Sequence, residues 1–202
     1  MIALVDYGIG NLRSVENALR SVGAEVEITS DPNFMADAEK VVLPGVGAFG
    51  DGMTYLAENG LVEPIKQLVR QSKPLLGICL GMQLLFENSE EYGSTQGLGL
   101  LPGHVRAFPP GELKIPQIGW NRIQPVRDSA LLADLPDPAY TYFNHGFYCD
   151  ARDEDTAAVC DYGVRFSAVV QRGSLMGVQF HPEKSQKIGL QILDNFVRMK
   201  HE

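Results

Sequence analysis

The sequence is poor in positive charge and has no long apolar run. Lys and Arg number 17 against 25 Asp and Glu, which gives a formal net charge of −8. Such a chain offers no basic face to a nucleic-acid backbone. Asp6 ends the apolar N-terminus too early for a signal peptide, and no later stretch approaches the roughly 20 apolar residues of a membrane span. We therefore expect a soluble, cytoplasmic protein that binds neither nucleic acid nor membrane.

Cysteine and histidine are also scarce, with three and four residues among 202. An odd number of cysteines in a chain of this size does not suggest a disulfide framework, and it favours free thiols in a reducing compartment. No cysteines and histidines are paired at metal-ligand spacing, so we expect no metal and no cofactor. The segment Tyr7-Gly-Ile-Gly-Asn11 lacks the third glycine of a dinucleotide fingerprint and the Gly-Lys-Ser/Thr of a phosphate loop. It predicts only a tight turn.

Apolar and amphipathic segments alternate through the first half of the chain. This alternation is typical of β-α units around a parallel sheet. Beyond Asn88 the sequence changes to glycine, proline and short β-rich runs, which predict added antiparallel strands. We expect one α/β domain over residues 1–202, with an open, mostly parallel central sheet flanked by helices and with antiparallel strands in the C-terminal half. Strands are predicted at 2–5, 24–29, 41–43, 74–78, 104–108, 118–123, 140–143, 157–160, 168–171 and 175–179, with a turn at 31–32. Helices are predicted at 12–22, 61–71 and 185–199, and another helix is predicted to follow Cys79 and to run through Gln83 to about residue 87.

One cysteine lies at a glycine turn that follows an apolar strand. Cys79 stands between Gly77 and Gly81 in the pattern G-x-C-x-G, the thiol counterpart of the G-x-S-x-G nucleophile elbow. Small residues at both flanks allow the strand and the next helix to approach closely at a sharp corner. The alternative is a buried core cysteine, the usual fate of a cysteine after an apolar run. The two glycines favour a nucleophile.

A cysteine nucleophile needs a base, and the base needs a group that orients it. His181 follows the apolar run Gly177-Val-Gln-Phe180 and stands two residues before Glu183. Pro182 restricts the backbone between them, so their separation is expected to be rigid. The alternative is an incidental histidine beside a glutamate that caps the last helix. His104 and His201 are assigned no role.

An acyl-transfer site also needs donors for the oxyanion, commonly backbone N–H groups. The amide of Leu80, directly after the cysteine, is one candidate in an elbow. The loop Pro44-Gly-Val-Gly47 is another, because its glycines permit close approach of the backbone to a ligand. There the amides of Gly45 and Val46 are the candidate donors.

Together these motifs resemble the class I, or triad-type, glutamine amidotransferases, and most closely the glutaminase subunit of imidazole glycerol phosphate synthase. The superfamily resemblance is carried by Gly-Ile-Cys-Leu-Gly-Met-Gln83 and Gln-Phe-His-Pro-Glu183. The resemblance extends from end to end of the chain. The narrower likeness to the subunit rests on Asp6-Tyr-Gly-Ile-Gly-Asn-Leu12, Pro44-Gly-Val-Gly-Ala-Phe-Gly50, Gly119-Trp-Asn121 and His181-Pro-Glu-Lys-Ser185.

The resemblance implies a function and a set of site residues. L-Glutamine would be hydrolysed through a thioester on Cys79, with His181 as base and acid and Glu183 orienting it. Ammonia would pass to a separate (β/α)8 cyclase subunit in a heterodimer, which makes imidazole glycerol phosphate and aminoimidazole carboxamide ribotide in histidine biosynthesis. By the same resemblance, the oxyanion donors are Leu80, Gly45 and Val46; the substrate-binding residues are Gly47, Gln83, Glu91, Gly146 and Phe147; and the partner interface includes Asn11, Trp120, His145 and Lys184.

Two departures leave alternatives open. The subunit usually reads Phe-Val-His-Ser/Thr-Tyr where this chain has Phe143-Asn-His-Gly-Phe147, and Gln117 stands where histidine is common. Both changes fit a paralogue that feeds ammonia to another synthase, such as one that modifies surface sugars. A cysteine hydrolase or deglycase of related fold typically has histidine directly after the nucleophile, where this chain has Leu80. A catalytically inactive binding subunit would be expected to have a broken triad.

Overall fold

The structure is a computed structural model that describes residues 1–199. His201, to which the sequence assigned no role, lies outside the described residues. No helix within residues 1–199 is long and apolar enough to cross a membrane. The helices are α1 (Leu12–Ser21), α2 (Pro32–Asp37), α3 (Phe49–Glu58), α4 (Val62–Arg70), α5 (Leu80–Gln83) and α6 (Gln186–Arg198). The strands are β1 (Ile2–Val5), β2 (Val26–Thr29), β3 (Lys40–Leu43), β4 (Leu75–Ile78), β5 (Asn88–Ser89), β6 (Thr95–Gln96), β7 (Gly103–Ala107), β8 (Gln117–Pro125), β9 (Ala139–His145), β10 (Phe147–Ala151), β11 (Thr156–Tyr162), β12 (Val164–Arg172) and β13 (Leu175–Val178).

A nine-stranded sheet forms the centre, in the order β2-β1-β3-β4-β13-β12-β11-β8-β9. The strands from β2 to β13 pair in parallel, and those from β13 to β9 pair antiparallel, so the sheet is mixed. A second sheet has the order β10-β7-β5-β6. The α/β fold class, with helices flanking the sheet and antiparallel strands in the C-terminal half, is confirmed.

Two apolar cores lie on opposite faces of the large sheet. Along β1, Ile2 and Leu4 pack into the core that holds α1 and α6, whereas Ala3 and Val5 pack into the core that holds α3 and α4. This alternation follows from the period of two along a strand. The parallel strands β1, β3 and β4 are buried on both faces, which explains why they are almost continuous apolar runs in the sequence.

Several elements differ from the sequence prediction. Where a turn was predicted at 31–32, the chain starts α2, because the Asp31 side chain accepts the Asn33 N–H at 2.9 Å and Pro32 occupies the first turn. Helix α3, the short strands β5 and β6, and strand β10 were not predicted. The helix after the nucleophile ends at Gln83 rather than near 87, since the N–H groups of Leu85 and Phe86 bond three residues back, as in tight turns.

Candidate active site

Cys79 lies at a sharp corner between β4 and α5. Its φ is +54°, in the left-handed region that non-glycine residues rarely occupy. The Cys79 N–H donates to the Val178 carbonyl at 2.8 Å, which ties the corner to β13. A Cβ on Gly81 would lie 1.8 Å from the Leu43 carbonyl oxygen, and one on Gly77 would lie 2.7 Å from the Gly81 carbonyl oxygen. The strained corner therefore exists only because both flanking residues are glycine.

His181 and Glu183 follow β13, the strand next to β4. The two strands pair in parallel with Ile78 opposite Val178, so both chain ends reach the same edge of the sheet. The His181 Nδ1 lies 2.9 Å from the Glu183 Oε1, and both side chains are buried. Cys79 and His181 line the same cavity, and the thiol is close enough to affect the pKa of the imidazole. The structure thus brings together the three side chains that the sequence proposed as a triad.

The electrostatic surroundings of His181 favour its protonated form. Burial lowers the pKa of His181, but hydrogen bonds to Cys79 and Glu183 and the negative charge on both partners raise it to about 10. Glu183 Oε2 is buried and has no hydrogen-bond partner within residues 1–199. The buried carboxylate therefore has the imidazole as its one polar neighbour, and the pair is suited to stabilising an imidazolium.

The backbone of His181 is fixed from the other side by β9. The His181 N–H donates to the Tyr142 carbonyl at 2.9 Å. The Ser185 hydroxyl donates to the His181 carbonyl at 2.6 Å and accepts the Tyr142 N–H at 2.9 Å. Ser185 is fully buried. Because two hydrogen bonds join this turn to β9 and a third closes the turn on itself, the histidine cannot move relative to the sheet without breaking them.

A cavity of about 240 Å³ opens over the cysteine. Ten of the residues proposed from the sequence line this cavity. The other five proposed residues lie outside the lining: Gly45, Glu183, Asn11, Trp120 and Lys184. Pro116 and Asn144 also line the cavity, although the sequence did not indicate them as site residues. The signal for Asn144 is its place in the segment 143–147, where the sequence departs from the usual pattern of the subunit. The proposed residues in the lining are Val46, Gly47, Cys79, Leu80, Gln83, Glu91, His145, Gly146, Phe147 and His181.

The loop at 44–47 is held at its start and free at its tip. The Tyr7 hydroxyl donates to the Pro44 carbonyl at 2.7 Å, and a Cβ on Gly45 would lie 2.4 Å from that hydroxyl oxygen. Val46 is 42% exposed at the cavity, and Gly47 has a φ of +101°. Within residues 1–199, the N–H groups of Gly45 and Val46 donate to no backbone carbonyl. They remain available as donors.

His145 lies in the wall of the cavity and is buried among the rings of Phe108, Phe143 and Phe166. Burial lowers its pKa to about 4, against the smaller opposing effect of the hydrogen bond with the Phe147 carbonyl, 2.7 Å away, and the charge of His181 lowers the pKa further. His145 is therefore neutral at neutral pH, with Nδ1 donating to Phe147. Its chemistry is that of a fixed neutral group and not of a second base.

Replacement of His145 by glutamine is expected to change the pH dependence of stability. The native pKa lies below the unfolded value of 6.5, so the unfolded state alone binds a proton as the pH falls from 6.5 to 4. His145 therefore costs the wild type up to about 3 kcal/mol of unfolding free energy across this window, and nothing above it. Urea unfolding at pH 7 and pH 4.5 should show a smaller loss for His145→Gln. An equal loss in both proteins would contradict the assignment.

An exposed apolar face lies on β8 and β9, next to the triad. Its apolar residues are Ile118 and Trp120 on β8 and Tyr140 and Tyr142 on β9, and Lys184, from the turn after β13, lies against them. These five residues are called the β8–β9 face below. The first three are 58%, 46% and 48% exposed. The Trp120 and Tyr142 rings contact edge to face, and the Lys184 ammonium lies over the Tyr142 ring. Asn11, also proposed for the interface, is exposed at the start of α1.

No group of three or more His, Cys, Asp and Glu side chains in the described part of the chain is placed to hold a metal ion. The three cysteines are free and buried. At the cavity the structure brings together a thiol, an imidazole and a carboxylate. Such a set suits nucleophilic acyl transfer.

Residues 3–199 match the family model for glutamine amidotransferase class-I. The chain belongs to this family. Its relatives include the imidazole glycerol phosphate synthase subunits HisH of Geobacter sulfurreducens, at 49% identity over 98% of this chain and 99% of the relative, and of Symbiobacterium thermophilum, at 51% identity over 98% and 93%. Among glutamine amidotransferases, the chain is of the HisH type.

Solved structures agree with the amidotransferase fold. A structure of PurLQS from Thermotoga maritima superposes with a TM-score of 0.77 at 20% identity, and it covers 97% of this chain and 96% of that chain. At that identity the likeness concerns the fold alone. The fold is therefore shared beyond the HisH type.

Proposed function

We propose that this glutamine amidotransferase hydrolyses L-glutamine to glutamate and ammonia through Cys79, His181 and Glu183, and delivers the ammonia to a cyclase subunit of imidazole glycerol phosphate synthase. One observation carries the proposal. A thiol held at a strained corner faces a buried imidazole whose other nitrogen lies 2.9 Å from a buried carboxylate. Residues 1–202 act as one amidotransferase domain in this proposal.

In the first half of the reaction, the Cys79 proton passes to His181 and the sulfur attacks the side-chain carbonyl of glutamine. The negative oxygen that forms is held by the N–H of Leu80 and by N–H groups of the loop that carries Gly45 and Val46. The carbon–nitrogen bond then breaks. His181 gives its proton to the leaving nitrogen, so ammonia departs and a glutamyl thioester remains on Cys79.

In the second half, His181 takes a proton from a water molecule that attacks the thioester. The carbon–sulfur bond breaks, His181 returns this proton to the sulfur, and glutamate leaves, so Cys79 is again a thiol. Glu183 keeps its negative charge throughout, and it stabilises the imidazolium each time it forms. Because burial excludes bulk water from Glu183, its charge acts on His181 with little screening.

The proposed substrate residues surround the cavity with complementary groups. Glu91 Oε2 accepts the Phe49 N–H at 2.7 Å, which fixes a carboxylate in the lining where it can face the ammonium group of glutamine. The Gln83 amide donates to the Phe147 carbonyl at 3.0 Å and so joins the elbow helix to the segment with Gly146. Gly47 completes the rim. Contacts from the backbone at 146–147 require no hydroxyl group, so the departure there is compatible with glutamine binding.

The partner is proposed to be a (β/α)8 cyclase subunit, joined as a heterodimer in the cytoplasm. Relatives whose sequences are 49% and 51% identical to this chain are named as subunits of imidazole glycerol phosphate synthase. Three buried free thiols fit a reducing compartment. The partner would use the ammonia to form imidazole glycerol phosphate and aminoimidazole carboxamide ribotide in histidine biosynthesis.

The β8–β9 face is the proposed docking surface. Aromatic side chains that are exposed and in contact with each other are typical anchors of protein interfaces. The same strand pair also holds the catalytic turn, since Tyr142 presents its ring to the face and its backbone to His181. A partner seated on this face would therefore cover the mouth of the site from which ammonia leaves.

Replacement of Trp120 by glutamate should separate partner binding from folding. A charge at an exposed aromatic anchor is expected to weaken the complex with the cyclase subunit by about tenfold or more, with an unchanged unfolding midpoint. Binding is measured by calorimetric titration, and formation of imidazole glycerol phosphate from glutamine is followed at fixed subunit concentrations.

The matched control is Gln71→Glu, which adds the same charge at an exposed position before β4, at the amino ends of the parallel strands. It should bind the cyclase as the wild type does. If Trp120→Glu binds equally well, the β8–β9 face is not the interface. If the endogenous partner that co-purifies is a sugar-modifying synthase, the proposed pathway is wrong and the glutaminase assignment stands.

A further inference from the structure

Gln179 is a fully buried polar side chain for which the triad mechanism has no use. It lies between the apolar residues Val178 and Phe180, at the point where β13 leads to the catalytic histidine. Its amide contacts three side chains, those of Gln83, Cys149 and Cys79. A buried amide in an otherwise apolar position is costly unless all its groups are used. Its contacts therefore identify what it does.

The neighbours of Gln179 determine which end of its amide faces the cysteine. The Gln83 Nε2 lies 3.0 Å from the Phe147 carbonyl oxygen, and only the nitrogen end of Gln83 can donate to a carbonyl. The same nitrogen lies 3.1 Å from Gln179, so the Gln179 atom that it meets must be the oxygen. The Cys149 thiol also donates to that oxygen, at 3.7 Å. The NH₂ group of Gln179 consequently points at the Cys79 sulfur, 3.9 Å away.

We propose that Gln179 is a catalytic residue whose NH₂ group donates a hydrogen bond to the Cys79 sulfur and stabilises the thiolate. In this step the S–H bond of Cys79 breaks and an N–H bond forms on His181. The negative charge that remains on the sulfur is stabilised by the imidazolium and by the hydrogen bond from the Gln179 amide. A hydrogen bond to a charged acceptor is stronger than one to a neutral acceptor, so the contact favours thiolate over thiol. The assignment rests on the proposed glutaminase function.

A purely structural role predicts a different set of effects. If Gln179 only supported Gln83, its loss would disturb the substrate cavity and raise KM for glutamine, but the thiol would keep its reactivity. If it donates to the sulfur, its loss lowers the thiolate fraction even when no glutamine is present. Alkylation of the free enzyme by iodoacetamide separates the two roles, because only the thiolate reacts.

The test compares Gln179→Met with Gln83→Met in the full chain. Methionine has a similar length and no donor. The rate of iodoacetamide modification at Cys79 is followed by peptide mass spectrometry across a range of pH. For Gln179→Met we expect a pH profile displaced to higher pH, a modification rate about tenfold lower at pH 7, and a comparable fall in kcat. For Gln83→Met we expect a raised KM and an alkylation profile displaced much less than that of Gln179→Met, because the Cys149 thiol still donates to the Gln179 oxygen and keeps the NH₂ group on Cys79.

A wild-type alkylation profile in a folded Gln179→Met would overturn the proposal. If that variant does not fold, Gln179→Glu gives a second test, since it keeps an oxygen for Gln83 and Cys149 and replaces the donor by a carboxylate. We expect it to displace the profile further, and an unchanged profile would again reject the proposal. Failure of the glutaminase function itself would look different, because the wild-type Cys79 would then be dispensable for glutamate release.

Discussion

Replacement of Cys79 by alanine should reduce glutamate release by at least about a thousandfold, because no thioester can form without the sulfur. The assay is release of glutamate from glutamine in the complex with the cyclase subunit. Binding of the partner should be retained, since Cys79 lies in the cavity and the β8–β9 face is on the outside of the sheet. When ammonium salts are supplied, the complex with the variant should still make imidazole glycerol phosphate.

Cys160→Ala is the matched control. Cys160 is also a buried free thiol, but its sulfur contacts Gln117 and lies outside the cavity lining. Its replacement should leave glutamate release within about twofold of the wild type, as expected for a group without a chemical role. Comparable losses in both variants would point to a general packing defect. Full activity of Cys79→Ala would refute the triad.

Replacement of Glu183 by glutamine is expected to produce the second largest loss, about 100- to 10,000-fold in kcat with little change in KM. The amide has the size of the carboxylate but lacks its charge, so the imidazolium of His181 is no longer stabilised. Glu183 lies behind the histidine and outside the cavity lining, which is why substrate binding should be preserved. The exposed Glu154→Gln, which removes a carboxylate at the surface, serves as the control.

The same variant should change the response to alkaline pH. The native pKa of His181, about 10, exceeds its unfolded value of 6.5. Its contribution to stability is therefore fully present below pH 6.5 and is lost as the pH rises through 10. In Glu183→Gln the pKa falls, so the wild type should lose more unfolding free energy between pH 6 and pH 9.5 than the variant does. An identical pH dependence would show that Glu183 does not hold the proton on His181.

The sequence alone predicts the parts of this molecule that depend on local chemistry. The strand before Cys79 and the strand before His181 are buried apolar runs, and Gly77 and Gly81 mark the corner between strand and helix. Both positions require glycine, because a Cβ at either one would collide with the backbone. The β-α order of the first half could be predicted because apolar and amphipathic segments alternate there.

Other parts depend on contacts that are distant in the chain. The position of β13 beside β4 follows from pairing between residues about 100 positions apart, which no local pattern encodes. Helix α3 has two glycines in its first turns, so its helical pattern is weak in the sequence. Strand β10 follows β9 after Gly146 alone and alternates irregularly. The role of Gln179 cannot be predicted from the sequence, because a single glutamine in an apolar run gives no indication of its function until the side chains that it contacts are known.

The pairing of β4 with β13 also sets when the enzyme can first become active during its synthesis. The nucleophile is made early, yet the base that it needs lies beyond the second sheet and the β8–β9 pair. Contacts of such long sequence separation form late in folding, since the intervening chain must be ordered first. A nascent chain that ends before His181 carries the cysteine corner without its base. Ammonia production therefore has to wait until β8 and β9, which carry the proposed docking surface, have been translated.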